Sequence, residues 1–265
     1  MRKVIYLCLF LVAGCSTRQV STSAIVNDGT ITGNGKLFAT LFQQKAAEYR
    51  ALCFQAFNIA RYRLDGYQAQ TNKPKAIITD IDETVLDNSR YEAGRALLGK
   101  EYDQQSWYEW TAKGIADTMP GAVSFLKYAA SKGVSVFYIT NRDQKEREGT
   151  LKNLQRYNLP NADEAHLLTR QNVSSKEVRR QSIHATHEII MLLGDNLADF
   201  SALFDKKPVD ERLRNTNFSA ADFGNRFIVL PNPVYGDWET SLYNYNYKLT
   251  RPQKDSVIRK EVKAN

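Results

Sequence analysis

The segment Asp80-Ile81-Asp82-Glu83-Thr84 sets two carboxylates at alternate positions directly after the apolar run Ala76-Ile77-Ile78-Thr79. Alternate side chains of an extended segment share a side, so Asp80 and Asp82 can enter one polar mouth while Ile81 turns into the core. One carboxylate can attack an electrophile covalently. The other can give a proton to a departing oxygen and later activate water. Their hard oxygens also suit a magnesium ion, which would neutralise phosphoryl oxygens. The bland alternative is an acidic turn capping a helix.

A second acidic group, Gly194-Asp195-Asn196-Leu197-Ala198-Asp199-Phe200, follows the run Ile189 to Leu193. Asp195 and Asp199 are four apart, so a helical turn beginning there would let both face one ion, although a surface acidic turn has the same spacing. Between the two groups, Thr140-Asn141-Arg142 follows the run ending at Ile139. Its backbone amides, the Thr140 hydroxyl and the Asn141 side chain are donors suited to phosphate oxygens. Arg142 either reaches a phosphate or lies on the surface. Lys176 is the candidate positive charge against phosphate and Asp80, with Arg179 and Arg180 within a turn of it.

These residues need elements to bring them together. Apolar runs before Asp80, Thr140 and Asp195 read as buried parallel strands, with Leu167-Leu168 as a short further strand. Helices are expected from Pro120-Gly121 to about Lys132, from about Gln144 to Tyr157 and over 176–187. The alternation predicts a three-layer α/β unit with a mostly parallel sheet. Ligands gather beyond the carboxyl ends of such strands, so the polar groups should converge at one edge. Leu37 to about Gln70 carries a helical pattern including Phe38, Leu41, Phe42, Tyr49, Leu52, Phe57, Ile59 and Tyr62, read as one long or two consecutive helices.

Four ordered pieces, Asp80-x-Asp82-x-Thr84, Thr140, Lys176 and Gly194-Asp195-x-x-x-Asp199, resemble the motifs of the haloacid dehalogenase superfamily. The strings Asp80 to Ser89, Tyr138 to Arg142, Gly194 to Phe200 and Phe227 to Glu239 resemble one branch, the class C bacterial acid phosphatases, many of them surface lipoproteins. The likeness runs from about residue 37 to 245. It implies a Rossmann-like core with a small, mainly helical cap. It implies Asp80 as nucleophile forming an aspartyl-phosphate and Asp82 as general acid and base. Mg²⁺ would be held by Asp80, the Asp82 carbonyl, Asp195 and Asp199, and phosphate by Thr140, the Asn141 amide and Lys176. Expected substrates are phosphomonoesters at acidic pH, including nucleoside monophosphates, and a homodimer is common among relatives. Arg90 departs from the small or proline residue usual after the Asp-Asn-Ser string, which bears on leaving-group preference.

The chain begins with a leader. Arg2 and Lys3 precede an apolar run from Val4 to Ala13, too short for an ordinary membrane span, and Val12-Ala13-Gly14-Cys15 resembles the bacterial lipobox. Cleavage before Cys15 would leave a lipid-bearing N-terminus, and Ser16 directs it toward the outer membrane. A plain signal peptide with an incidental cysteine is the alternative. The net charge of +7 falls to +5 once Arg2 and Lys3 are removed, a balance that favours anionic substrates or headgroups without locating a site. With Cys8 in the leader and Cys15 lipidated, Cys53 stands alone, so the mature domain is expected to have no internal disulfide.

The resulting division is a signal peptide over 1–14, a tether over 15–35, an N-terminal helical region over 36–73, a catalytic core over 74–87 and 119–247, a cap insertion over 88–118 and a polar tail over 248–265. Tyr91, Trp107, Tyr235 and Trp238 are candidates for the leaving-group side, with core packing the alternative for each. His166, His184 and His187 make no convincing zinc set. The tail has no aromatic and basic rhythm that would predict a nucleic-acid partner. Two other functions fit the same residues: a surface binding or haem-uptake lipoprotein with secondary phosphatase activity, and a phosphotransferase acting on alcohol acceptors.

Overall fold

The computed structural model describes residues 29–264. The expected leader, Cys15 and the first part of the expected tether lie outside the described residues. Helix α1 (Ile31–Lys45) starts inside the span read as tether. Gly33 and Gly35 there resemble loop residues, but Thr30 caps the helix by accepting from the Gly33 amide at 3.1 Å. Ala46 is extended, which ends α1 and opens α2 (Ala47–Asp65). The helical pattern is therefore two helices. Tyr49, Cys53 and Phe57 are buried, whereas Phe38, Leu41, Phe42, Leu52 and Tyr62 are exposed.

The strands follow as β1 (Lys75–Thr79), β2 (Leu86–Asp87), β3 (Asp117–Thr118), β4 (Ser135–Asp143), β5 (Leu167–Arg170), β6 (Glu188–Gly194) and β7 (Phe227–Val229). Five form one parallel sheet in the order β5-β4-β1-β6-β7. Because β1 pairs on both sides, its carboxyl end lies at the sheet's centre. Period-two alternation divides its side chains. Ile77 joins the larger core with Tyr49, Cys53, Phe57 and Leu126, while Ala76 and Ile78 meet Phe137, Ile139 and Ile183 on the opposite face. Both faces are thus covered, as the continuous apolar runs require.

Between β2 and β3, which pair antiparallel, the chain forms α3 (Ser89–Leu97) and α4 (Gln104–Lys113). Asp103 caps α4 through the Ser106 amide, and left-handed Gly114 ends it. The core helices are α5 (Ala122–Ser131), α6 (Arg147–Arg156) and α7 (Glu177–Thr186). Helices α8 (Val209–Phe218), α9 (Asp237–Leu242) and α10 (Arg251–Glu261), together with β7, had no sequence expectation. The polar tail carries α10, which docks on α1, where Asp255 accepts the Ile31 and Thr32 amides at 2.9 and 3.0 Å and the Thr32 hydroxyl at 2.7 Å. None of the helices among the described residues is long and apolar enough to cross a membrane. Cys53 is free and buried.

Candidate active site

Asp80 leaves β1 with its amide bonded to the Leu193 carbonyl of β6 at 2.9 Å, so neighbouring strands fix where its side chain emerges. Its carboxylate accepts from the Lys176 ammonium, which also sits 2.7 Å from Asp199 Oδ1. Lys176 is buried at the start of α7, and of the three adjacent basic candidates it is the one bonded to Asp80. Oxygens of Asp80, Asp195 and Asp199 lie within 4.8 Å of one another. Burial, opposed by Lys176 and reinforced by Asp199 and Asp82, pushes the Asp80 carboxyl up to about 7. Burial, with Asp199 and Asp80 close by, holds Asp195 well above its ordinary range. Three clustered carboxylates, two of them bonded to one ammonium, offer an all-oxygen donor set that a hard divalent cation would suit.

Asp195 and Asp199 are placed by a 3₁₀ turn, Leu197–Asp199, capped by Asn196. Asp199 Oδ2 accepts the Asn196 amide at 3.0 Å. Asp195 accepts from Asn232 Nδ2 at 2.7 Å and from the Thr84 hydroxyl at 3.3 Å. A string remote in sequence, Pro231 to Gly236, therefore returns to orient the carboxylate delivered by β6.

Asp82 is held by Arg142, whose Nε lies 3.1 Å from both carboxylate oxygens and whose second nitrogen lies 2.7 Å from Oδ1. Asn88 Nδ2 adds a bond at 2.8 Å. Arg142 is not a surface residue, and where it meets the cavity its guanidinium is engaged by Asp82. It is 2 % exposed, and its remaining nitrogen donates to Thr150 at 3.1 Å. Thr140 is buried, with its hydroxyl accepting from the Arg142 amide at 3.1 Å, and Asn141 is exposed at the cavity.

Sequence reasoning passed over Glu83. Its φ of +54° lies in the left-handed region that a glutamate seldom adopts, and its side chain is buried. The carboxylate accepts from the Asn88 amide at 2.8 Å and from the Tyr235 hydroxyl. Asn88 Oδ1 in turn accepts from Trp110 Nε1 at 2.8 Å. Burial, followed by Asp82 and Asp195, pushes Glu83 well above the usual carboxylate range. No local pattern marks this network, because its members come from the β1 loop, the insertion and the chain beyond β7.

A cavity of about 660 Å³ opens above the carboxylates. Trp107 and Tyr235 line it, but Tyr91 and Trp238 do not. Tyr91 is buried against Trp107, with centroids 5.0 Å apart, and Trp238 is exposed and donates to the Tyr235 carbonyl at 3.1 Å. Tyr102, Tyr243, Tyr245 and Tyr247 take their place, with Lys36 from α1 and Lys254 from α10. The wall thus combines α1, the insertion and the segment after β7.

A family model described as HAD superfamily, subfamily IIIB (acid phosphatase) matches residues 9–238. The fold is similar to that of the class C acid phosphatase from Bacillus anthracis, at 41% identity over 88% of this chain and 99% of that one, with a TM-score of 0.85. A structure of that protein with tungstate bound also has a TM-score of 0.85 and 41% identity, over 89% of this chain and 99% of that one. Among plant proteins, the stem 31 kDa glycoprotein of Glycine max is 24% identical over 164 residues, 60% of this chain, and acid phosphatase 1 of Solanum lycopersicum 27% over 77 residues, 29% of this chain. The chain spans 58% and 30% of the lengths of those two relatives.

Proposed function

Because this chain belongs to subfamily IIIB of the HAD superfamily, the acid phosphatases, we propose that it hydrolyses phosphomonoesters at the floor of the cavity, with Asp80 as nucleophile. The observation that carries this reading is the cluster of Asp80, Asp195 and Asp199, its first and last members buried, with Lys176 bonded to those two. An Asp80 carboxylate oxygen attacks phosphorus, the bond from phosphorus to the ester oxygen breaks, and Asp82 supplies the proton with which the alcohol departs. Water then attacks the aspartyl-phosphate, Asp82 takes its proton, and Asp80 is released with inorganic phosphate. Arg142 and Asn88 keep the Asp82 carboxylate in place for both transfers.

Asp80, the Asp82 carbonyl, Asp195 and Asp199 would hold Mg²⁺. When bound, the ion neutralises charge on the transferring phosphoryl oxygens. Thr140, Asn141 and Lys176 would receive those oxygens. Tungstate, bound by the Bacillus anthracis relative, is a tetrahedral oxyanion like phosphate and supports this assignment. The cavity volume is within the range for small-molecule sites, and the rings of Trp107, Tyr102 and Tyr235 suit an aromatic leaving group such as a nucleoside. The lipobox-like leader supports attachment through Cys15 to the outer membrane, with the catalytic domain outside the cytoplasm.

Release of inorganic phosphate from an aromatic phosphate and from nucleoside monophosphates at acidic pH, with and without Mg²⁺, tests the reading. The expected outcome is metal-dependent release that Asp80→Asn lowers by on the order of 10³-fold or more. No release by the metal-loaded protein, or undiminished release by the variant, would sink it.

A further inference from the structure

Lys176 stands at the first end of α7, and Arg179 and Arg180 follow three and four residues later. At 3.6 residues per turn, those positions fall about 60° to one side of Lys176 and about 40° to the other. The two guanidinium groups accordingly diverge. Arg179 donates to the Thr140 carbonyl at 2.5 Å, to Asn141 Oδ1 at 2.8 Å, and to the Ser174 and Ser175 carbonyls at 3.3 and 3.2 Å. Arg180 is buried and donates to the Ala198 and Asp199 carbonyls at 3.0 and 2.8 Å and to Glu177 at 2.5 Å. One reaches toward the β4 side of the sheet and the other toward the β6 side, with Lys176 bonded to both Asp80 and Asp199 between them.

The Arg179 contacts fall where the sheet itself stops holding the backbone. The ladder from β1 to β4 ends at Thr79 and Tyr138, and the register of β4 against β5 shifts between Ile139 and Asp143. Residues 140–142 therefore depend on other partners. In a trans peptide the carbonyl and the following N–H point in opposite directions, so a Thr140 carbonyl drawn to Arg179 turns the Asn141 N–H away from that arginine. Asn141 lines the cavity.

We propose that the two arginines are separate positioning residues, Arg179 setting the Thr140–Asn141 peptide for a phosphate oxyanion and Arg180 setting the Asp199 loop for the divalent cation. The division rests on the phosphatase reading above and assigns it two supports that neither touch substrate nor ligate metal. Arg179 joins carbonyls of two segments, and Arg180 holds two successive carbonyls of one loop together with the Glu177 carboxylate, tasks for a planar fork that an ammonium cannot reproduce.

The test measures binding of inorganic phosphate and of Mg²⁺ separately, by calorimetry on the whole protein, for wild type, Arg179→Lys and Arg180→Lys. Steady-state kinetics with an aromatic phosphate accompany it. Arg179→Lys should weaken phosphate binding and raise KM about tenfold with Mg²⁺ affinity unchanged, while Arg180→Lys should weaken Mg²⁺ binding by a similar factor with phosphate affinity at fixed occupancy unchanged. Methylguanidinium should restore phosphate binding to Arg179→Ala where that variant folds. Parallel loss of both affinities in both variants, or no loss in either, overturns the division. A wild type that neither binds phosphate nor hydrolyses the ester condemns the phosphatase reading instead.

Discussion

At the end of β6, a Cβ on Gly194 would lie 2.5 Å from both the Cβ and Oδ2 of Asp199. No real side chain tolerates that approach, so the glycine allows the Asp199 carboxylate to fold back beside Asp195. Gly194→Ala must shift Asp199 or the strand, at a cost of about 1–3 kcal/mol in overpacking. Thermal unfolding should register that loss, and kcat/KM for an aromatic phosphate should fall at least about tenfold through the misplaced carboxylate. Full activity with a lowered melting temperature would separate Gly194 from the chemistry. Arg142 teaches a related lesson. Its position after Thr140-Asn141 allowed a phosphate ligand or a surface charge, and the choice was made by Asp82, which reaches it from another strand end.

Glu188 begins β6 and ties the loop before β1 to the sheet's amino-terminal edge. It accepts from the Tyr67 hydroxyl and the Gln70 amide at 2.6 Å each, and from the Thr71 amide and hydroxyl at 3.1 and 2.8 Å. The Tyr67 bond, then the Gln70 amide, hold its carboxyl down at about 2 against an ordinary 4.5. A depressed folded value means stability that is fully present above pH 4.5 and is lost as pH falls toward 2. The melting temperature of Glu188→Gln should therefore lie below wild type at neutral pH, and the gap should close between pH 4.5 and 2. A gap independent of pH would remove Glu188 from the acid response. The elements themselves were mostly readable, since β1, β4 and β6 are apolar runs with polar ends. The turn at Leu197–Asp199 and the break at Ala46 were legible only as one of two alternatives each, because each depends on a cap or a backbone angle rather than on periodicity.

At the scale of the molecule, both ends of the described chain help to wall the cavity. Asp255 of α10 accepts the first amides of α1, and Lys254 bonds Glu101 of the insertion at 2.8 Å. Asp255→Ala removes a cap-like acceptor worth about 0.5–2 kcal/mol. It should lower the melting temperature by a few degrees, quicken hydrogen exchange at residues 31–34 and raise KM more than it lowers kcat, since Lys36 and Lys254 line the cavity wall rather than its floor. Unchanged exchange would show that α1 holds without α10. By itself the sequence determined the parallel sheet, the edge at which Asp80, Thr140 and Asp195 emerge, and the family resemblance, because apolar runs and strand-end motifs are local signals. Only the tertiary structure decided that Lys176 faces Asp80 while its arginine neighbours turn aside, that Arg142 and Asn88 grip Asp82, and that Tyr102, Tyr243, Tyr245 and Tyr247 line the cavity in place of Tyr91 and Trp238. The Lys176–Asp80 and Arg142–Asp82 contacts join residues 96 and 60 apart in sequence, and local patterning carries no signal for which distant side chain will meet which.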